Sequence, residues 1–236
     1  MISFTQRIRD QENVKRIIAY LVLMWGVLGI TLQIGRSFLG SNPLEFTLIT
    51  FLYFTTQSNI IITCIAFFYL FTKKRGRLYT SFAFIGFLNI LVTGIVFHTL
   101  LIPYMSGVSF LNHILHTINP ILYAIFYMLV IEEHISSKKF YISLIYPLVY
   151  MLFVYVVIEP LLGDMLETLM PNFVGARFIY PFLDPRTYPS GISDLLIFNL
   201  GILAPSIALM SFILSYLKQR FEARMSRFNH EKETHS

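Results

Sequence analysis

Three groups of polar residues, which include threonines and histidines, interrupt long apolar stretches of this sequence, and their hydroxyl and imidazole groups could act as nucleophile, base or metal ligand. The first group is a run of five polar residues, Thr55 to Asn59, inside an otherwise apolar stretch. At helical spacing Thr56, Asn59 and Thr63 share a face. A threonine hydroxyl becomes a nucleophile when a neighbouring base takes its proton. The structural alternative is that such residues bond backbone carbonyls or hold helices together.

The second group contains two histidines at the start of another apolar stretch. Asn112, His116 and Asn119 fall on one helical stripe, and His113 lies on its flank. Pro120 cannot donate to the carbonyl of residue 116, which predicts a free carbonyl and a kink beside His116. A histidine in this setting could act as a general base, a metal ligand or a haem ligand.

The third group closes a further apolar stretch. Asn89 and Thr93 share a stripe, Gly94 allows a neighbouring helix to approach closely, and His98 lies near the end. Counting residues from the end of each apolar stretch gives the depth of each polar residue in the membrane. These depths place Thr56, Asn59, His98 and His116 in the same half of a helix bundle, where we expect them to converge. The list of candidate residues is completed by Asn112, Asn119, His113 and Asp194.

These residues leave three functions open. In the first, which rests on the family resemblance given below, Thr56 is a nucleophile, His116 its base, an asparagine stabilises the oxyanion and Asp194 orients the histidine. In the second, His98, His113 and His116 hold a catalytic zinc, since three protein ligands plus water is the usual pattern. In the third, the polar groups line the path of a non-catalytic lipid-binding or transport protein. The threonine mechanism requires no metal and no other cofactor.

The composition requires lipid as the solvent of this chain. Hydrophobic residues make up 56% of the 236 residues and charged residues 13%, and the mean hydropathy is +0.66. Soluble domains carry about 25% charged residues. The single cysteine, Cys64, excludes an intrachain disulfide and an all-cysteine metal site. We therefore expect an all-α, polytopic membrane helix bundle with no nucleic-acid partner; a lipid or fatty-acyl substrate is what the resemblance described below implies.

Six stretches approach or exceed the ~20 apolar residues that a spanning helix needs. They form one predicted membrane domain, residues 1–236, followed within it by a cytoplasmic tail at 218–236. The predicted spans are 16–36, 45–72, 78–102, 110–131, 140–162 and 193–217.

The basic residues predict an orientation for these six spans. Fifteen of the eighteen Lys and Arg residues lie in one alternate set of loops and termini, including Lys73, Lys74 and Lys232. The other set contains only Arg36, Arg177 and Arg186. The positive-inside rule places the first set in the cytoplasm. Both termini are therefore predicted to be cytoplasmic, which agrees with the even number of spans in a multi-pass protein of a cell membrane.

The longest loop on the predicted outer side covers residues 160–192. It contains Pro171, Pro181, Pro185 and Pro189 and an aromatic run, Phe178 to Phe182. An ordered lid over the outer half of the bundle is one expectation. The other is a proline-rich connector whose aromatic side chains lie at headgroup depth.

Three segments of the sequence resemble those of the androgen-induced membrane protein family, which includes the androgen-dependent TFPI-regulating protein. The order and spacing of the segments fit, and the resemblance is closest to the bacterial branch of the family. The segments are Phe54-Thr55-Thr56-Gln57-Ser58-Asn59, Asn112-His113-Ile114-Leu115-His116-Thr117 and Tyr180-Pro181-Phe182-Leu183-Asp184.

This resemblance implies an enzymatic activity and the cellular membrane in which the protein is located. Animal members are six-span hydrolases of fatty acid esters of hydroxy fatty acids, with a threonine nucleophile in the second span and a histidine in the fourth. Matched motif to motif, these are Thr56 and His116 here, with Thr55 as the alternative after a shift of one residue. The polar residues 57–59 depart from the more apolar animal motif. A bacterial plasma membrane is the implied location.

Overall fold

The computed structural model describes residues 2–72, 75–105 and 107–234. Two basic residues used for the orientation, Lys73 and Lys74, lie outside the described residues, as does the end of the predicted tail. All regular secondary structure within the described ranges is helical. The all-α prediction is confirmed.

Six of the helices are long and apolar enough to cross a membrane, as expected of a multi-pass membrane protein. At 1.5 Å per residue, 18 residues cover about 27 Å, close to the hydrocarbon thickness of a bilayer. A short helix precedes the first span, and another precedes the second. In chain order the helices are α1 (Ile2–Asp10), α2 (Glu12–Phe38), α3 (Pro43–Leu52), α4 (Phe54–Phe71), α5 (Arg77–Tyr104), α6 (Phe110–Val130), α7 (Ser137–Leu169) and α8 (Ile192–Phe228).

The second predicted span, 45–72, is not one continuous helix. Tyr53 has extended backbone angles (φ −67°, ψ 133°) and separates α3 from α4. The first N–H groups of α4 are bonded by tyrosine hydroxyls: Phe54 donates to Tyr150 (3.2 Å) and Thr55 to Tyr180 (3.4 Å). A break at membrane depth is tolerated where protein groups satisfy the freed backbone in this way.

The spanning helices alternate in direction, which places their connecting segments at two opposite ends of the bundle. The two ends differ in their number of basic residues. The α3 end contains α3, the start of α6 and the segment before α8. Its basic residues are Arg36, Arg177 and Arg186. The opposite end contains the remaining basic residues that the structure describes. The charge asymmetry read from the sequence therefore separates the two ends of the bundle.

Residues 170–191, here called the cap segment, lie at the α3 end. Helix α7 continues to Leu169, so the loop is shorter than the predicted range 160–192. The cap segment forms successive turns that are fixed to α7 by ion pairs. Arg177 pairs with Glu159 (2.7 Å), and Arg186 pairs with Glu167 (2.5 Å).

Helix α2 packs closely against α4 through glycine. Gly26 is buried, and a β-carbon built on it would lie 2.1 Å from the Thr63 hydroxyl of α4. Small residues allow two helices to approach closely, and in a membrane such close packing takes the place of a hydrophobic driving force between helices. The contact brings the middle of α2 close enough for Gln33, two turns further on, to reach the polar start of α4.

A buried lysine joins three elements at the opposite end. Lys218 of α8 is fully buried and donates to the carbonyls of Tyr127 (3.0 Å) and Ile131, where α6 ends. Glu222 pairs with Lys218 (2.6 Å) and with Arg9 of α1 (2.7 Å). Residue 218 was predicted to begin a cytoplasmic tail. Its ammonium group satisfies carbonyls that a helix C-terminus leaves without partners.

Candidate functional site

A threonine and a histidine from different helices are in contact near the α3 end. The Thr55 hydroxyl oxygen lies 3.2 Å from Nε2 of His116, and both residues are buried. Thr55 is in the first turn of α4, and His116 is in α6. This distance allows a direct hydrogen bond between a hydroxyl and an imidazole nitrogen.

The ring of His116 is fixed on two further sides. Its Nδ1 lies 2.9 Å from the carbonyl oxygen of Asn112, and its face stacks on the Phe97 ring with the centroids 3.8 Å apart. A carbonyl only accepts, so Nδ1 carries the proton and Nε2 is free to accept one from Thr55. The hydrogen-bond network therefore leaves Nε2 without a proton, as a general base requires.

Residues Ile114–Ile118 of α6 form a π-helical turn around this histidine. The N–H of Asn119 bonds the carbonyl of Ile114, five residues back. The described helices contain four further π-helical segments, so this turn is notable for the histidine that it contains rather than for its geometry. Gly94 of α5 lies beside this turn, where an added β-carbon would be 3.0 Å from the His116 carbonyl. Pro120 and Gly94, both noted in the sequence, thus border the histidine.

The Thr55 backbone faces the cap segment. Its N–H donates to the Tyr180 hydroxyl (3.4 Å), and burial raises the pKa of this phenol, which therefore keeps its proton. Ile179, directly before it, has a positive φ of 67°. Positive φ in a branched residue costs free energy and occurs where the surroundings enforce it. Strained backbone therefore positions Tyr180.

The structure pairs His116 with Thr55 rather than with Thr56. The Thr56 hydroxyl donates instead to Oε1 of Gln33 in α2 (3.2 Å). Consecutive helical residues point about 100° apart, so the two threonines face different neighbours. The alternative obtained by a shift of one residue is the one that agrees with this geometry.

The asparagines predicted as oxyanion donors have other partners. The Asn59 amide donates to the carbonyls of Thr55 (2.8 Å) and Leu115 (3.3 Å), and the Asn119 amide donates to the Asn59 side chain (2.7 Å). Asn112 orients His116 through its backbone carbonyl. These residues join α4 to α6 and hold the π-helical turn in place. The side-chain amides of Asn59 and Asn119 are therefore already engaged, whereas Asn112 acts on His116 through its backbone.

The other polar residues of the run also hold the bundle together. Ser58 bonds the Thr93 hydroxyl of α5 (2.7 Å), and Gln57 accepts a hydrogen bond from Tyr146 of α7 (2.7 Å). The residues from 55 to 59 thus reach four other helices: Thr55 and Asn59 contact α6, and the other three contact α2, α7 and α5. Their structural role, proposed from the sequence as an alternative, coexists with the Thr55–His116 contact.

The remaining predicted residues do not surround His116. His98 contacts the Thr117 hydroxyl (3.0 Å), and His113 is exposed. Asp194 accepts from the backbone N–H of Ser190 (2.9 Å), and the group that orients His116 is Asn112 instead. Within the described ranges, no three His, Cys, Asp or Glu side chains are placed to hold a metal ion. The zinc arrangement of His98, His113 and His116 has no geometric support.

Two cavities meet at Thr55. One, of about 360 Å³, is lined almost entirely by apolar side chains of α5, α7 and α8. The other, of about 450 Å³ and here called the polar cavity, lies at the α3 end; its lining is also mostly apolar but contains more polar groups, among them Gln33, Arg36 and His116. Thr55 and Tyr180 line both cavities, whereas His116 lines only the polar one. Thr55 thus lies at the boundary between the apolar cavity and the polar cavity.

Sequence patterns did not indicate several partners in this site. Gln33, Phe97 and Tyr150 are single residues within apolar stretches, and no spacing rule relates them to residues 55 or 116. Tyr180 belongs to the third segment of the resemblance, which implied no role for it. Comparisons of the chain with protein-family models, curated proteins and solved structures found no match.

Proposed function

We propose that this protein is an integral-membrane lipid ester hydrolase in which Thr55 is the nucleophile and His116 the general base. The Thr55–His116 hydrogen bond, buried where an apolar and a polar cavity meet, carries the proposal. A hydroxyl, a base and a group that orients the base form the arrangement that activates a weak nucleophile. Here the orienting group is the carbonyl of Asn112.

The proposed reaction has two halves. Nε2 of His116 takes the Thr55 proton as the hydroxyl oxygen attacks the ester carbonyl carbon, and the same nitrogen then protonates the departing alcohol oxygen. This leaves an acyl-threonine. Water from the polar cavity then loses a proton to His116 and attacks the acyl carbon. The Thr55 oxygen leaves, recovers the proton from His116 and releases a free fatty acid.

The negative charge on the tetrahedral intermediate needs hydrogen-bond donors. The Tyr180 hydroxyl lies at the N-terminus of α4, which is the positive end of the helix dipole, and because it accepts from the Thr55 N–H its own proton remains available to donate. Donors of this kind stabilise an oxyanion most effectively in a site that excludes water. Tyr180 therefore takes the role first assigned to an asparagine.

Fatty acid esters of hydroxy fatty acids, or similar lipids, are the proposed substrates. The resemblance to the androgen-induced membrane protein family is carried by three segments, which contribute Thr55, His116 and Tyr180 to one site. Arg36 in the polar cavity could pair with a carboxylate of such a substrate. We further propose that the α3 end faces outward, because its basic residues are few.

Hydrolysis by the purified full-length chain tests the proposal. The protein in lipid nanodiscs is given a panel of acyl esters, and fatty acid release is followed together with labelling by a fluorophosphonate probe. Release and labelling that both disappear in Thr55→Ala support the proposal. Stoichiometric zinc together with activity in Thr55→Ala would support the metal alternative instead.

A non-catalytic lipid-binding protein is the second candidate, because the apolar cavity would accommodate an acyl chain without chemistry. It gains support if a lipid copurifies with the chain while no ester of the panel is hydrolysed. The two candidates therefore differ in a measurable product, the free fatty acid.

A further inference from the structure

The apolar cavity reaches from Thr55 to the lipid-facing surface of the bundle. Its inner end is formed by Thr55 and Tyr180, and its walls come from α5, α7 and α8. Leu148 of α7 and Leu200 of α8 line it while 47% and 53% of their surface is exposed. Both residues lie inside spanning helices. The mouth of the cavity therefore faces acyl chains of the bilayer rather than water.

The position of His116 determines which part of an ester lies in which cavity. The nitrogen that accepts the Thr55 proton must afterwards reach the oxygen of the departing alcohol. His116 lines the polar cavity but not the apolar one. The alcohol part must therefore lie on the polar side, and the acyl part must extend from Thr55 in the other direction.

We infer that the apolar cavity is the acyl-chain subsite, filled sideways from the bilayer between α7 and α8, with the alcohol part of the ester held in the polar cavity. This inference rests on the proposed function and adds an orientation of the substrate to it. Small residues of α8 line the subsite, among them Ala204 and Ala208. Their size limits the length and bulk of the acyl chain.

Chain-length selectivity provides the first test. Ala208→Phe narrows the subsite, whereas Ser206→Phe adds the same ring to an exposed position of the same helix. Two ester series are compared, one varying only the acyl chain and the other only the alcohol. For Ala208→Phe, kcat/KM is expected to fall more than about 10-fold for long acyl chains and to change little for short ones. Selectivity for the alcohol should stay unchanged.

The opposite pattern would overturn the inference. If Ala208→Phe discriminates by alcohol length and not by acyl length, the two parts of the ester are bound the other way round. Leu200→Trp provides a second variant whose exposed position protects the fold. It should slow hydrolysis of long-chain esters supplied in the bilayer and leave short, water-soluble esters unaffected. Equal effects on both would contradict access from the bilayer.

Photochemical labelling separates this inference from the proposed function. A fatty acid with a terminal diazirine, incorporated into phosphatidylcholine vesicles with the full chain, should label α7 and α8 peptides next to the subsite. Ala208→Phe should reduce this labelling, whereas Ser206→Phe and Thr55→Ala should not. Labelling without hydrolysis of any ester would sink the hydrolase and leave acyl binding standing. Hydrolysis without such labelling, and without acyl-length selectivity, would sink only the subsite.

Discussion

The Thr55 hydroxyl and Nε2 of His116 lie 3.2 Å apart although 61 residues separate them in the chain. Two departures from regular helix make this contact. The break at Tyr53 sets where α4 begins and hence which threonine faces α6. The π-helical turn at Ile114–Ile118 contains the histidine and lies beside α4. The candidate chemistry thus depends on backbone irregularities at membrane depth.

Replacing Thr55 is expected to abolish hydrolysis, whereas replacing its neighbour is not. Thr55→Ala removes the hydroxyl that contacts His116, and kcat should fall by roughly 10⁴-fold or more, as for other nucleophiles. Thr56→Ala removes only the hydrogen bond to Gln33. It should keep at least about a tenth of the activity. Fatty acid release and fluorophosphonate labelling are measured for both variants.

The two threonine variants also decide between the two assignments of the nucleophile. Loss of labelling in Thr56→Ala together with normal labelling in Thr55→Ala would reverse the proposed roles. Both variants should elute as monodisperse species, because each removes one hydroxyl from a buried site without leaving a charge.

His116→Gln should remove the base while keeping a polar side chain of similar size. We expect kcat to fall by about 10²- to 10⁴-fold, the usual contribution of a general base. His113→Gln is the matched control, since His113 is three residues away in the same helix but exposed. Single-turnover kinetics should show that acylation is slowed. Equal losses in both variants would argue against His116 as the base.

Tyr180→Phe tests the proposed oxyanion donor. Losing one such donor typically lowers kcat by about 10²- to 10³-fold, with KM nearly unchanged. Tyr150→Phe is the control, because its hydroxyl accepts from the N–H of Phe54, the residue next to Thr55, but donates to the Leu52 carbonyl (2.9 Å). It should lower stability more than it lowers kcat. A Tyr180→Phe variant with a raised KM and an unchanged kcat would indicate a role in binding alone.

The number of spans and the polar segments could be predicted from the sequence, because both depend on composition over many residues. Lipid-facing helices must be apolar for about 20 residues, and polar groups inside them are few enough to be noticed. The number of spanning helices and the two segments that contain Thr55 and His116 could therefore be predicted from the sequence. The choice between Thr55 and Thr56 could not be predicted, since it depends on the extended backbone of Tyr53, which interrupts the helix.

That break has no signal in the local sequence. Tyr53 is neither proline nor glycine, and its neighbours are apolar. The break is supported from outside by the hydroxyls of Tyr150 and Tyr180, which are 97 and 127 residues further along the chain. Long-range partners of this kind override local pattern. The same holds for Lys218, whose position in a basic run does not indicate that its partners are carbonyls at the end of α6.

The contact between α2 and α4 predicts a large effect of a single methyl group. Gly26→Ala would place its β-carbon 2.1 Å from the Thr63 hydroxyl, and the helices would have to separate. Overpacking of this kind costs about 1–3 kcal/mol. Gly35→Ala on the same helix is the control, because no described atom lies within 4 Å of its added carbon. Unfolding in mixed detergent micelles should show a lower midpoint for Gly26→Ala alone.

A double variant checks the cause of this loss. Thr63→Ala removes the group that the new carbon would meet, so Gly26→Ala combined with Thr63→Ala should be more stable than the sum of the two single effects predicts. Contacting residues are those for which additivity fails. Strict additivity would show that the cost of Gly26→Ala arises elsewhere.

Lys218→Met should destabilise the bundle without changing its chemistry. The substitution keeps an unbranched apolar chain of similar length but removes the donor to the carbonyls that end α6. It also leaves Glu222 paired with Arg9 alone. Removing one partner of a buried ion pair typically costs about 3–5 kcal/mol. Arg220→Met, at an exposed position two residues away, should change stability by less than about 0.5 kcal/mol.

The kinetics of the Lys218 variant separate stability from function. Lys218 lies at the end of the bundle opposite to Thr55, so kcat and KM should match those of the unmodified chain at temperatures where the variant stays folded. Adding Glu222→Gln should lower stability further, because it leaves the buried Arg9 guanidinium without its carboxylate partner. If the double variant is less stable than Lys218→Met in this way, then Arg9 and Glu222 form the dominant pair and Lys218 acts mainly on the carbonyls of α6. A double variant more stable than Lys218→Met would show instead that Glu222 depends mainly on Lys218.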